Sequence, residues 1–184
     1  MKEIRLHGLG GQGAVIASDI LAIAFAEEGK EVAAFPAFGA ERRGSPVAAY
    51  VRFDDRPIRE KCLIYTPDCL MILDASQMEA NSTFAGAKPD CALIVNSPAP
   101  LNGFSRPNIG LIATIDATGI SRQELGRPIV NTCITGAFAG ATRWVSFESL
   151  VVGLKEFFKG AILEKNTRAA QRGFNEVSVT KAAH

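Results

Sequence analysis

The chain has 184 residues and a formal net charge of +1 at pH 7, with 47% hydrophobic and 21% charged residues. This length fits one domain with a sizeable buried core. The near-neutral charge provides no broad basic field to attract nucleic acid, so we expect no nucleic-acid partner. The amino terminus, MKEIRLHG, lacks the apolar core of a signal peptide, and no apolar stretch is long enough to span a membrane. These features predict a cytoplasmic protein with no membrane partner.

Cysteine and histidine are too sparse and too scattered to predict a metal site. The cysteines Cys62, Cys69, Cys91 and Cys133 form no CxxC pair, and the chain has two histidines. Zinc and iron–sulfur sites need several soft ligands at short spacings. We therefore predict no metal ligands, and we expect Cys91, in the apolar run CALIV, to be buried.

The first third of the chain has the pattern strand, helix, strand. IRLHG predicts the first strand, and residues 14–28 predict a helix that ends at Gly29. EVAAF predicts a second strand parallel to the first, because a crossover helix separates them. The helix is apolar on nearly every side, so we expect a sheet on one side and another layer or subunit on the other.

The same alternation continues to the carboxyl end. Further strands are predicted at 47–53, 69–74, 91–96 and 109–116, with a crossover helix in SQMEANSTFAGA and helices in NTCITGAFAGATRW, after Ser146 and in LEKNTRAAQRGF. Small residues in TGAFAGA allow a neighbour to approach closely. The pattern predicts a single-domain α/β layer sandwich with a mostly parallel, doubly wound (Rossmann-like) sheet. We assign the domain to residues 1–175 and a flexible tail to 176–184.

The loop GLGGQG follows the first strand and contains the G-x-G-x-x-G spacing of nucleotide-binding turns. The candidate binding residues are Gly8, Gly10, Gly11, Gln12 and Gly13. A strand-to-helix turn of this kind offers backbone N–H groups to a phosphate or carboxylate. A tight packing turn without a ligand is the plain alternative.

A dinucleotide site also needs an acidic residue at the end of the second strand, to hold the ribose hydroxyls. That position reads Phe35-Pro36 in this chain. The sequence therefore disfavours an NAD-dependent dehydrogenase.

The loop PAFGAERRGSPV provides a second group of candidates, Glu41, Arg42, Arg43 and Gly44. Adjacent guanidinium groups bind phosphates and carboxylates in bidentate fashion, although a solvated surface pair is the usual fate of such arginines. Loops that follow parallel strands gather at one edge of a sheet, so we expect this loop to face the glycine turn across a crevice. Candidates at a predicted helix start, where capping explains them equally well, are Asn131 and Thr132.

GLGGQG, PAFGAERRGSPV, CLMILD and VNTCITGAFAG, in this order, resemble the gamma subunit of 2-oxoacid:ferredoxin oxidoreductases, the pyruvate and 2-ketoisovalerate enzymes. The resemblance runs from about Glu3 to Asn175. It implies a non-autonomous subunit of an enzyme that decarboxylates a 2-oxoacid oxidatively to an acyl-CoA and passes electrons to ferredoxin. The implied partners are alpha, beta and ferredoxin-like delta subunits, with ferredoxin reached indirectly.

The resemblance also implies which cofactors the assembled enzyme uses: thiamine diphosphate, Mg2+, [4Fe–4S] clusters and coenzyme A. None is expected on this chain alone, which would help to shape the coenzyme A region through the two loops. The alternative is a free-standing nucleotide- or coenzyme-binding module without enzymatic activity.

Overall fold

A seven-stranded mixed sheet forms the centre of the computed structural model, which describes residues 1–37 and 44–181. The strand order is β2-β3-β1-β4-β5-β6-β7. Strands β1, β4, β5 and β6 are parallel neighbours, whereas β3 is antiparallel to both β1 and β2, and β7 is antiparallel to β6. The strands are β1 (Lys2–Leu9), β2 (Glu31–Pro36), β3 (Pro46–Asp54), β4 (Cys69–Ile72), β5 (Cys91–Asn96), β6 (Ile109–Ile115) and β7 (Ser178–Lys181).

Within the described residues, six α-helices and one 3₁₀ turn (Ala75–Met78) accompany these strands. None of the helices in the described ranges is long and apolar enough to cross a membrane. The helices are α1 (Ala14–Glu27), α2 (Asn81–Phe84), α3 (Ala117–Leu125), α4 (Asn131–Thr142), α5 (Phe147–Phe157) and α6 (Gly160–Glu176).

The two faces of the sheet carry different layers, because successive side chains of a strand point to opposite sides. Ile4 and Leu6 of β1 join the main core, to which α1, α3, α4, α5 and α6 all contribute. Leu70 and Ile72 of β4 point the other way, into a smaller core partly covered by the short helical segments through Met78 and Phe84. The long helices therefore share one face. The predicted single-domain α/β sandwich is confirmed.

The position of β2 differs from the sequence prediction. β2 runs in the same direction as β1, as predicted, but β3 lies between them and pairs antiparallel with both. Residues 2–9 of β1 pair with β3 along their whole length, from Lys2 opposite Phe53 to Leu9 opposite Pro46. An antiparallel strand therefore occupies the place beside β1 that the predicted parallel β2 would take.

Two further segments differ from their predictions. SQMEANSTFAGA forms the 3₁₀ turn and the single-turn α2 rather than a crossover helix, which is consistent with the low helix propensity of Asn81-Ser82-Thr83. Ser178–Lys181, assigned to a flexible tail, forms β7 against β6. Val179 and Thr180 are β-branched and suit a strand, and residues 182–184 lie outside the described ranges.

The small-residue segment TGAFAGA is covered within the chain by α6. A β-carbon at Gly136 would overlap the carbonyl oxygen of Ala170, and one at Gly140 would overlap that of Phe174. All residues of α4 from Asn131 to Gly140 are buried. The close approach expected from this segment is therefore an intramolecular helix contact.

Candidate functional site

The glycine loop forms a tight turn from β1 into α1, as predicted. Gly8 still belongs to β1, whereas Gly11 and Gly13 have positive φ angles of 97° and 83°. Glycine adopts this left-handed region without steric cost, which explains its use at both positions. Gly13 is the N-cap residue of α1 and makes no side-chain capping bond.

Gly44, from the loop between β2 and β3, lies directly against the glycine loop. The N–H of Gly10 donates to the carbonyl of Ser45 at 2.8 Å, and the N–H of Gly44 donates to the carbonyl of Gly10 at 3.1 Å. The two candidate loops therefore meet at one edge of the sheet. Glu41, Arg42 and Arg43 lie outside the described residues.

Gln12 links the glycine loop to the end of β4. Its Oε1 accepts from the N–H of Leu9 at 2.8 Å, and its Nε2 donates to Oδ2 of Asp74 at 2.7 Å. Burial alone would raise the pKa of the Asp74 carboxyl, but hydrogen bonds from Ser76 and Gln12 hold that pKa below its ordinary value. The Asp74 carboxylate therefore anchors the turn as an anion at neutral pH.

Asn131 lies next to the glycine loop, whereas Thr132 does not. A β-carbon at Gly13 would be 2.6 Å from Nδ2 of Asn131. The buried Thr132 hydroxyl instead donates to Oδ1 of Asn166 in α6 at 3.1 Å. Neither residue is the N-cap of α4, which is Val130. Asn131 therefore packs against the candidate site, and Thr132 belongs to the α4–α6 contact.

The start of α1 is an open donor site. In the part of the chain that the structure describes, no group accepts from the N–H groups of Ala14, Val15 or Ile16. Val15 and Ile16 are exposed, whereas Ala14 is buried, so the described residues cover this end of the helix only in part. Such an end, next to a glycine turn, suits a phosphate or a carboxylate.

Two polar residues at the same edge were missed from the sequence, Asp74 and Asn96. Asp74 follows β4, and Asn96 ends β5, where its Nδ2 donates to the carbonyl of Leu73 and to Thr118 Oγ1, each at 2.9 Å. A polar residue directly after a buried parallel strand is the pattern that would have identified both.

Three of the four cysteines, Cys69, Cys91 and Cys133, are buried, whereas Cys62 is exposed. Cys91 is buried as predicted, and burial raises the pKa values of the Cys91 and Cys133 thiols to about 12. Within residues 1–37 and 44–181, no three His, Cys, Asp or Glu side chains come together to hold a metal ion.

The fold and the site define a Rossmann-like α/β protein with an anion-compatible glycine turn. Two elements of a dinucleotide site are missing. β3 occupies the place beside β1 where a parallel second strand would pair. In addition, β2 ends in Phe35-Pro36, without an acidic residue for the ribose. Comparison with known families gives the particular class. Residues 3–176 match the model of the pyruvate ferredoxin/flavodoxin oxidoreductase family, and the chain belongs to this family.

Individual relatives match along almost their whole length. The chain is 49% identical over 182 residues to the pyruvate/ketoisovalerate oxidoreductases common subunit gamma of Thermococcus kodakarensis, covering 97% of this chain and 98% of that one. It is 48% identical over 177 residues to pyruvate synthase subunit PorC of Methanothermobacter thermautotrophicus, covering 96% of each. The crystal structure of pyruvate oxidoreductase subunit PORC from Thermotoga maritima superposes with a TM-score of 0.85 at 34% identity, covering 97% of this chain and 98% of that one.

The family predicted from the sequence is therefore confirmed. The chain is a gamma-type subunit of an oxidoreductase that acts on oxo donors, and these relatives are separate subunits of similar length.

Proposed function

We propose that this chain is the gamma subunit that completes the coenzyme A region of a multisubunit 2-oxoacid:ferredoxin oxidoreductase. The enzyme would convert a 2-oxoacid to an acyl-CoA and CO2 and deliver two electrons to ferredoxin. Alpha, beta and ferredoxin-like delta subunits would be its partners, and the cytoplasm its location. Thiamine diphosphate with Mg2+ and the [4Fe–4S] clusters would be carried by those partners and would supply the decarboxylation and electron-transfer chemistry.

The observation that carries the proposal is the glycine turn and its supports. Gln12 and Gly44 hold the turn from two sides, and Asn131 packs against it at Gly13. The first N–H groups of α1 are left available to an anion, which fits a phosphate of coenzyme A. This chain's part in the reaction would be to bind and orient that anion and to exclude water from it.

Arg42 and Arg43 would add a second positive site. Residues 38–43 connect Ala37 to Gly44, and Gly44 is hydrogen-bonded to Gly10. Because Arg43 directly precedes Gly44 in the sequence, we propose that the arginine pair acts next to the glycine turn. Guanidinium groups at that position suit a coenzyme A phosphate or a partner carboxylate.

Reconstitution tests this function. The tagged chain is coexpressed with thiamine diphosphate-binding and ferredoxin-like subunits of this family from the same organism, and reduction of a viologen dye is measured with a 2-oxoacid and coenzyme A. We expect activity only in preparations that contain this chain, and none from the chain alone. Full coenzyme A-dependent turnover without this chain would refute the role, and so would failure of the chain to recover any partner subunit. Tight nucleotide binding by the free chain together with such a failure would favour the free-standing binding module.

A further inference from the structure

Exposed apolar side chains gather where α1 begins and where α5 passes into α6. Val15 and Ile16 are 36% and 37% exposed, Phe157 is 39% exposed, and Ile162 is 62% exposed. We call these four residues the helix-end patch. Large apolar side chains left at the surface in a group indicate an interaction site more strongly than scattered ones do.

The geometry of α1 and α5 places the members of the patch together. The helices are antiparallel neighbours: the N–H of Ser146 donates to Glu28 Oε1 at 2.7 Å, and Gly153 packs against the carbonyl oxygen of Ile20. Phe157 lies four residues after Gly153 in α5, and Ile16 lies four residues before Ile20 in α1. Because both helices rise 1.5 Å per residue, Phe157 is level with Ile16. Phe157 and Ile16 therefore lie at the same end of the α1–α5 pair.

A cavity of about 330 Å3 adjoins the patch and is lined by Phe158 and Ile162 among others. Its charged lining residues are Arg127 and Lys165, and it has no carboxylate. In the described ranges neither cation has a carboxylate oxygen within 4 Å. The surface thus combines exposed apolar groups with two cations that lack a counter-charge.

We propose that the helix-end patch and this cavity dock a partner subunit of the oxidoreductase through a segment that carries apolar side chains next to Asp or Glu. This inference rests on the proposed function. Carboxylates of the segment would pair with Arg127 and Lys165, and its apolar side chains would cover the patch.

Two other occupants fit the surface less well. A small anion inside the cavity would leave Val15, Ile16 and Phe157 exposed, because they lie outside the cavity lining. A second copy of this chain, bound through the same face, would bring the same cations, Arg127 and Lys165, towards each other, since a two-fold contact is self-complementary. An acidic, apolar segment of a different subunit satisfies both the charge and the apolar area.

Docking here would also act on the glycine turn. Asn131 lines the cavity and packs against Gly13, and Val15 and Ile16 form the first turn of α1. A partner that covers this surface would exclude water from the open end of α1. Charge interactions strengthen when water is excluded, so assembly would prepare the anion site.

The test is copurification of the partner subunits with tagged variants in the coexpressed complex. Ile162→Glu changes the most exposed patch residue, and Lys165→Glu reverses one of the two cations. Val179→Glu is the matched control, because Val179 is 46% exposed and lies on β7, outside the patch. Circular dichroism of each free variant checks that it is folded, and sedimentation of the free chain records its oligomeric state.

We expect Ile162→Glu to reduce recovery of the partner subunits by about tenfold or more, as for central interface residues, and Lys165→Glu to reduce recovery mainly at low salt. Val179→Glu should recover them normally. Wild-type recovery of the partner subunits by both Ile162→Glu and Lys165→Glu would overturn the docking surface while leaving the proposed function intact. Normal assembly with loss of a homodimer would assign the face to a second copy. Normal assembly with loss of inorganic pyrophosphate binding in Lys165→Glu, measured by calorimetry, would assign the cavity to a small anion. Failure of the wild-type chain to recover any partner would overturn the proposed function itself.

Discussion

Asn131 occupies the space in which a side chain of residue 13 would lie. A β-carbon at Gly13 would be 2.6 Å from Nδ2 of Asn131, and the φ angle of Gly13 is +83°. Two independent constraints therefore require glycine at the point where the turn becomes α1. Because α4 packs against this turn, the start of α4 is part of the site, although α4 and the turn are far apart in the sequence.

Gly13→Ala should destabilise the chain through both constraints. The left-handed backbone alone costs a non-glycine residue about 1 kcal/mol, and the overlap with Asn131 adds about 1–3 kcal/mol. Gly29→Ala is the matched control, since Gly29 has a φ of +77° but no atom within 4 Å of its β-carbon position. Urea unfolding should show a clearly larger loss for Gly13→Ala than for Gly29→Ala. The added Asn131→Ala change should recover part of the difference. Equal losses at both glycines would contradict the packing argument.

The Gln12–Asp74 hydrogen bond should make folding stability depend on pH. The pKa of Asp74 is lowered in the folded chain, so its stabilising contribution is present above the ordinary carboxyl pKa and is lost as the pH falls through the folded value. Unfolding free energies measured between pH 7 and pH 3 should therefore fall less steeply in Asp74→Asn than in the wild type. Gln12→Ala should also reduce the slope, because it removes one of the bonds that lower the pKa. An unchanged slope in both variants would show that the link is energetically unimportant.

Local patterns were sufficient for most elements of the fold. β5 was predicted with its observed bounds of Cys91–Asn96, because a short apolar run between turn residues is informative by itself. Ser146 accepts a hydrogen bond from the N–H of Ser149 and caps α5, as its position before an amphipathic segment predicted. The resemblance to the family was based on four segments, GLGGQG, PAFGAERRGSPV, CLMILD and VNTCITGAFAG, and is confirmed by the family match.

Relationships between distant segments could not be predicted in the same way. The alternation in β3 does not show which strands it pairs with, so its position between β2 and β1 was missed. Charged residues usually lie at the surface, yet Arg52 is 1% exposed, and its Nε compensates for this burial by donating to Glu3 Oε1 at 2.8 Å. Packing of Asn131 against Gly13 likewise depends on the tertiary fold. Asp74 differs from these residues, because its position directly after a buried apolar run can be recognised from the sequence alone.

Arg42→Ala and Arg43→Ala should impair the assembled enzyme without unfolding this subunit. Losing a contact to a desolvated anion costs about 2–5 kcal/mol, which corresponds to a fall of about 30-fold or more in kcat/KM for coenzyme A. The checks are viologen reduction at varied coenzyme A and the thermal midpoint of the free subunit. Arg56→Ala, at an exposed arginine after β3, is the control. Normal coenzyme A dependence and normal assembly in both variants would remove the arginine pair from the site.

Gly136→Ala should be among the most damaging single-methyl additions in the chain. The added β-carbon would overlap the backbone carbonyl oxygen of Ala170 in α6, which cannot move away as a flexible side chain can. Separating α4 from α6 to accommodate it should cost about 3 kcal/mol or more. Ala139→Gly, in the same helix, should cost about 1 kcal/mol through propensity, with a further loss from the missing buried methyl. Urea unfolding that ranks the two variants in the opposite order would show that the helix contact is loosely packed.

His7 should remain neutral when the folded chain is exposed to mild acid. Burial first, and then the nearby Arg5 cation, lower the pKa of His7 to about 4. An unfolded chain binds a proton at this histidine near its ordinary pKa of about 6.5, whereas the folded chain does not. Stability should therefore fall as the pH drops from about 6.5 to 4, by at most about 3 kcal/mol from this group, and the contribution should level off below pH 4.

NMR can measure this pKa directly, because the chain has two histidines, His7 and His184. In His184→Ala the single remaining imidazole should titrate near pH 4, and in His7→Gln the loss of stability between pH 6.5 and 4 should be smaller than in the wild type. His7→Gln keeps a polar side chain of similar size. A loss of stability that this variant already shows at pH 7 reports altered packing, whereas a changed pH dependence below pH 6.5 reports the lost titration. An imidazole of His7 that titrates near 6.5 in the folded chain would mean that neither burial nor Arg5 acts on it.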